Sequence, residues 1–133
     1  MNVTHLPIPT AISRPYWDAL NRHEVHIQHC TGCGAWVHYP RSHCPTCLSP
    51  ALEWKKVSGQ GVLYAFTISR VPTLAEFRDA VPQFLAVVEL DEGVRINSVV
   101  IGVEPEALKI GMRMKPAFAA NASGQTLLHF APA

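Results

Sequence analysis

The chain is short of charge and of aromatic rings, and it has no thiol outside one brief block. Charged residues make up 16% and aromatic residues 8% of the 133 positions, against 48% hydrophobic ones. Such a composition has a core to bury and does not describe a disordered chain. The formal net charge is +1, which leaves no basic excess for phosphate or for a membrane surface. Long apolar runs are missing too. FLAVV, at positions 84–88, is among the longest and falls far short of the ~20 residues needed to cross a bilayer. The opening MNVTHLPIPT has neither a basic start nor an apolar stretch, so the expectation is a cytoplasmic protein without a membrane anchor. Catalytic signatures are equally scarce. Ser69 and Ser98 lie in no nucleophile-elbow context. Gly59-Gln60-Gly61 is too short to cradle phosphate and reads as a bend in a strand. Glu89, Asp91 and Glu92 fall at a predicted turn, where solvated charge is the ordinary state.

What is present is concentrated in CTGCGAWVHYPRSHCPTC. It holds all four cysteines, Cys30, Cys33, Cys44 and Cys47, as two C-x-x-C pairs. In a reducing compartment this spacing points to metal before disulfides. Each pair makes a tight turn that aims two sulfurs at one ion. Two such turns supply a tetrahedral four-sulfur site suited to Zn2+ or to a single iron. Gly34 follows the first pair, where a left-handed residue is wanted. Leu48 stands at the matching place after the second. Four sulfurs leave no open coordination position, so the site reads as structural. His23, His26, His29, His38 and His43 crowd nearby. None is needed as a ligand, and His43 and Arg41 are read as groups offsetting the sulfur charge.

Around this block the periodicity changes twice. SRPYWDALNRH predicts a short helix with Pro15 in its first turn and Tyr16, Leu20 and Trp17 on an apolar face. It is too short to stand alone, so it docks on its own domain or on a partner. VHIQHC alternates, Val25 and Ile27 on one side, His26 and Gln28 on the other. With a return strand near Ala35–Tyr39 this is a zinc ribbon. Beyond it come five predicted strands: 53–70, bent at Gly59–Gly61, then 83–91, 94–103, 112–119 and 125–131. Val62, Tyr64, Phe66 and Ile68 are expected on one face of the first, and PQFLAVVEL reads as a strand buried on both sides. Five short strands with one helical connection at PEALKIGM fit a small closed barrel of the OB type. VPTLAEFRDAVP, at 71–82, is a loop or short helix at its rim. The expected fold is therefore mainly β: an arm and short helix over 1–24, a rubredoxin-like zinc ribbon over 25–52 and a five-stranded OB-fold barrel over 53–133. The residues alone argue for a protein that acts by binding. A ribbon on an OB barrel suits single-stranded nucleic acid, but Lys55-Lys56 is the sole adjacent basic pair. An iron centre in the same sulfurs makes a rubredoxin-like electron carrier the third reading.

The order of motifs is more specific than any one of them. PYWDAL, VHIQHCTGCGAWVHYPRSHCPTC, LEWKKVSGQGVLYAFT, FLAVVELDEGVRINSVVIG, PEALKIGMRM and HFAP follow one another from Pro15 to Pro132. In this the chain resembles the zinc-ribbon and OB-fold family catalogued as domain of unknown function 35. The resemblance implies an accessory subunit of a thiolase-like enzyme (thiolase, aldolase-type or acyltransferase), which handles the acyl-CoA and carries the chemistry. It implies Cys30, Cys33, Cys44 and Cys47 as ligands of a structural Zn2+. The helix face of Tyr16, Trp17 and Leu20 becomes the candidate contact to the partner. Phe77 and Arg78 in the rim loop become the residues nearest the acyl-CoA. His23 departs from the family pattern, which places a small residue at the helix end.

Overall fold

The computed structural model describes residues 7–72, 75, 78–79, 81–121 and 124–133. One helix, α1 (Arg14–Asn21), leads into three strands, β1 (Val25–Cys30), β2 (Trp36–Val37) and β3 (Leu52–Val57). Five more follow: β4 (Gly61–Ser69), β5 (Gln83–Leu90), β6 (Arg95–Val100), β7 (Arg113–Ala120) and β8 (Thr126–Pro132), with a 3-10 turn at Pro105–Ala107 before β7.

Helix α1 begins where Thr10 and Ser13 exchange hydrogen bonds. The Thr10 N–H donates to Ser13 Oγ at 2.9 Å and the Ser13 N–H to Thr10 Oγ1 at 3.1 Å. It ends in a left-handed residue. The Glu24 N–H reaches back to the Ala19 carbonyl and the His23 N–H to that of Leu20, both at 2.9 Å. This closing motif usually takes glycine. His23 occupies it with φ 60°, and its ring stacks on Phe118 at 4.9 Å, nearly parallel. The departure noted at this position is thus absorbed by a ring contact to β7. Tyr16, Ala19 and Leu20 turn inward and are buried. Asn21 Oδ1 accepts the Thr126 N–H at 2.9 Å, which fastens the helix to the start of β8.

Strand β1 lies between β2 and β3, antiparallel to both. Its two faces serve different cores, because side chains alternate along a strand. Val25 and Ile27 enter the main core, whereas Cys30 joins Val37 and Cys44 in a small second cluster at the ribbon tip. The strand expected over 53–70 is two strands. Leu52–Val57 pairs with β1 along its whole length, from Val25 opposite Val57 to Cys30 opposite Leu52. The ribbon sheet therefore runs past residue 52 to Val57. The break falls at Gly59, whose φ is 76°.

The remaining strands form a closed barrel in the order β4-β5-β6-β8-β7, returning to β4. β6 and β8 are parallel and paired only at Val100 and Phe130. This is the OB topology. Two face assignments change. A β-bulge between Leu63 and Ala65 shifts the phase of β4, so Leu63 is buried while Tyr64 is exposed beneath the Arg95 guanidinium, 3.8 Å from its ring centre. β5 is buried on one face only, through Ala86, Val88 and Leu90, and Leu85 is exposed. Glu89 and Asp91 sit in surface ion pairs with Arg95 and Arg113. Leu63, Val88, Met114 and Phe130 of the barrel form one continuous core with Tyr16, Leu20, Val25, Ile27 and Val57. Helix, ribbon base and barrel are packed as one body.

Candidate metal centre and docking surfaces

The two C-x-x-C turns are built alike. The Gly34 N–H donates to the Cys30 carbonyl at 2.9 Å, and the Leu48 N–H donates to the Cys44 carbonyl at 2.8 Å. Both closing residues are left-handed, Gly34 at φ 79° and Leu48 at φ 64°. In this shape backbone N–H groups turn toward sulfur. Those of Gly32 and Cys33 face Cys30, and those of Thr46 and Cys47 face Cys44. Ala35 serves Cys33 and Ser49 serves Cys47. Cys30 and Cys44 are buried, Cys33 and Cys47 exposed.

The sulfurs converge. Cys30 Sγ lies 3.5 Å from Cys47 Sγ, Cys33 Sγ lies 3.6 Å from Cys44 Sγ, and all four fall within 4.8 Å of one another. A disulfide would need about 2.05 Å. A zinc tetrahedron with ~2.3 Å bonds has an edge of about 3.8 Å, close to the spacing found. Charge points the same way. The Cys47 N–H pulls the Cys44 thiol down to about 6, and the Cys33 N–H lowers that of Cys30. At Cys33 the Ala35 N–H also favours the thiolate, but desolvation and the neighbouring sulfurs outweigh it and push the thiol up to about 12. Backbone N–H groups favour the thiolate at all four positions, and the mutual repulsion of sulfurs packed this closely is what a divalent cation at their centre would remove. The four residues fit a structural metal ion.

Gln28, on the strand face opposite Val25 and Ile27, holds the far side of this tip. It is buried, its Nε2 donates to the Arg41 carbonyl at 2.9 Å, and its Oε1 accepts the Arg41 N–H at 2.8 Å. The amide takes the place of a missing strand partner. Arg41 is thus held by its backbone, and His43 Nδ1 meets Ser42 Oγ at 3.0 Å. Replacing Gln28 by Leu strands both backbone groups of Arg41. It is expected to cost about 2 kcal/mol in urea unfolding and to speed metal loss to a chelator. An unchanged midpoint would refute the clamp.

A groove of about 520 Å³ runs between α1, the 38–40 segment and the seam where β6 and β8 part. Trp17, His38, Tyr39, Asn97 and His129 are among its walls, and no Asp, Glu, Lys or Arg is. Burial holds His38 neutral, its pKa lowered to about 4. A second hollow of about 480 Å³ continues from Asn97 and Ser98 over the outer face to Leu85 and Phe66. The helix face proposed for a partner is divided by this packing. Tyr16 and Leu20 are taken up by the chain's own core, because α1 lies against β1 and β8; the half-buried Trp17 borders the groove, and the buried Tyr16 lines its floor beside it. Arg78 sits in an exposed turn, its N–H bonded to the Ala75 carbonyl at 3.1 Å. Phe77 lies outside the described residues. No helix among the described residues is long and apolar enough to cross a membrane.

Fold and site together define a rubredoxin-like zinc ribbon fused to an OB-fold barrel. Comparison with known families agrees. Residues 17–53 match the rubredoxin-like zinc ribbon domain of ChsH2, and residues 54–119 match the C-terminal OB-fold domain of ChsH2. The chain belongs to this DUF35 family. It is 34% identical over 90 residues to a DUF35 domain-containing scaffold protein of Methanothermobacter thermautotrophicus, covering 67% of each chain. It is 29% identical over 118 residues to the 3-oxo-4,17-pregnadiene-20-carboxyl-CoA hydratase alpha subunit of Mycobacterium tuberculosis, covering 83% of this chain but 37% of that one. Among solved structures it superposes on a chain of the Ltp2-ChsH2(DUF35) aldolase with a TM-score of 0.84 and 27% identity, covering 96% of this chain and 98% of that one.

Proposed function

We propose that this chain is a cytoplasmic, non-catalytic accessory subunit that binds a thiolase-like acyl-CoA enzyme and helps complete or scaffold its acyl-CoA site. The observation that carries the reading is the end-to-end likeness to a chain of the Ltp2-ChsH2 aldolase. The geometry supports it. Cys30, Cys33, Cys44 and Cys47 occupy all four positions of a tetrahedral ion, so a bound Zn2+ has none left for substrate. The ion fixes the ribbon tip, and this chain's residues act by position. Trp17 and Tyr39, at the uncharged groove, offer apolar contact to the partner, while Tyr16 and Leu20 seat the helix from within. Arg78 is the rim-loop residue proposed to lie nearest the acyl-CoA.

Purification of the tagged chain from its native cells tests this. The expected result is a stable complex with a thiolase-fold protein, identified by mass spectrometry, whose acyl-CoA turnover or solubility falls when this chain is withdrawn. A thiolase-fold protein fully active and soluble alone, with no association at micromolar concentration, would sink the proposal.

A further inference from the structure

We infer that Leu48 is the apolar anchor by which the metal tip engages its partner, entering an apolar pocket on the thiolase-fold enzyme. The inference rests on the accessory-subunit reading above. The molecule supplies its own comparison. The two cysteine turns share one backbone shape and one closing hydrogen bond. The first uses glycine, which reaches positive φ without strain. The second uses leucine, for which positive φ is unfavourable. Leu48 does not repay this by packing. It is 74% exposed and lies outside the tip cluster of Cys30, Val37 and Cys44, which draws on Ala35 and Leu52 instead. A strained backbone and a large apolar side chain in water are two separate costs at one residue. Observed strain of this kind is a pointer to function.

The surroundings define what the side chain fits. From Ser42 to Leu52 there is no Asp, Glu, Lys or Arg. Pro45, Thr46 and Pro50 flank Leu48 and are exposed. The charge over this stretch is then that of the metal–thiolate centre, whose Cys33 and Cys47 are exposed, so an acidic surface or a phosphate backbone is repelled, while the Leu48 side chain itself fits an apolar pocket. The tip is also pre-organised. Two prolines, the clamped sulfurs and the Gln28 bridge leave little freedom to lose on docking.

The probe is the thiolase-fold protein that co-purifies with the wild-type chain. L48G and L48N both relieve the left-handed strain, since Gly and Asn tolerate it, and both remove the apolar side chain. They are expected to retain zinc and thermal midpoint at least as well as the wild type, yet to bind the probe about tenfold or more weakly. L48M keeps an apolar side chain and is expected to bind within about threefold of wild type. Wild-type affinity in L48G and L48N would overturn the anchor while leaving the accessory role standing. Loss of zinc in both would make Leu48 a structural residue and overturn it equally. Binding of the wild type, but not L48N, to phosphatidylcholine vesicles would reassign the tip to a lipid surface. If no thiolase-fold protein co-purifies, both readings fall together.

Discussion

Cys44→Ser is expected to empty the metal site and unfold the ribbon tip while the barrel stays folded. Cys44 is buried, and its sulfur receives the N–H groups of Thr46 and Cys47. A serine hydroxyl in its place is a far harder acid to ionise and a poor partner for a soft ion. The tip has little else to hold it. Its own cluster is Cys30, Val37 and Cys44, with Ala35 and Leu52 alongside, so two of its three buried members are ligands. A structural zinc contributes about 10–16 kcal/mol, more than those few apolar contacts return. The ribbon base differs, because Val25, Ile27 and Val57 belong to the main core. The loss should therefore stop part-way along β1. Zinc analysis should fall from near one equivalent to near none. Amide exchange should become fast over about residues 30–50 and remain slow in β5 and β6. A variant that keeps its metal, or that loses the slow barrel amides as well, would contradict this division. The same preparation decides the metal, since a zinc site is colourless and an oxidised iron one red.

Gly61→Ala is expected to be the most damaging single-methyl change in the barrel. A Cβ built there would lie 2.2 Å from the Glu89 carbonyl oxygen and 2.8 Å from Leu90 Cα. Both are backbone atoms, so no rotamer change makes room. The position is also where the barrel closes: Gly61 pairs with Leu90 of β5 on one side and Met114 of β7 on the other. Moving β4 away opens the seam. The expected cost is about 4 kcal/mol or more, in the range reserved for overpacking and broken backbone pairing. Gly32→Ala is the control. Its nearest neighbours would be 3.6 Å away and its φ is not positive, so a change of about 0.5 kcal/mol or less is expected. Urea unfolding of the two variants settles the comparison, and a loss below about 1 kcal/mol at Gly61 would show that the strands do not approach so closely.

These two sites also mark how far the sequence could be read. Cysteine spacing alone located the four sulfurs, because two tight turns and one ion leave little choice of geometry. Period-two patterning located the barrel strands. What it missed is phase and membership. Gly59 and Gly61 read as one bend because the alternation resumes beyond them, and nothing in a pattern says that a strand has changed sheets. The bulge at Leu63 and Ala65 inserts a residue that alternation cannot register. Alternation gave Gln28 a face but not its burial, because its partner is the Arg41 backbone, which leaves no mark in composition. Tyr16 and Leu20 were legible as an apolar face that had to dock, on the chain's own domain or on a partner, but the pattern did not choose between the two. His23 and Leu48 looked merely out of place. Each takes a left-handed turn that glycine would fill, one with its ring stacked on Phe118 and the other with its side chain exposed.

Strand β1, with one face in each core, has a mechanical consequence. The ribbon cannot swivel on the barrel as a bead on a thread would, because the same six residues are gripped at both ends. Whatever seizes the tip therefore also sets the heading of the barrel mouth some strands away, with no hinge between them to absorb an error of aim.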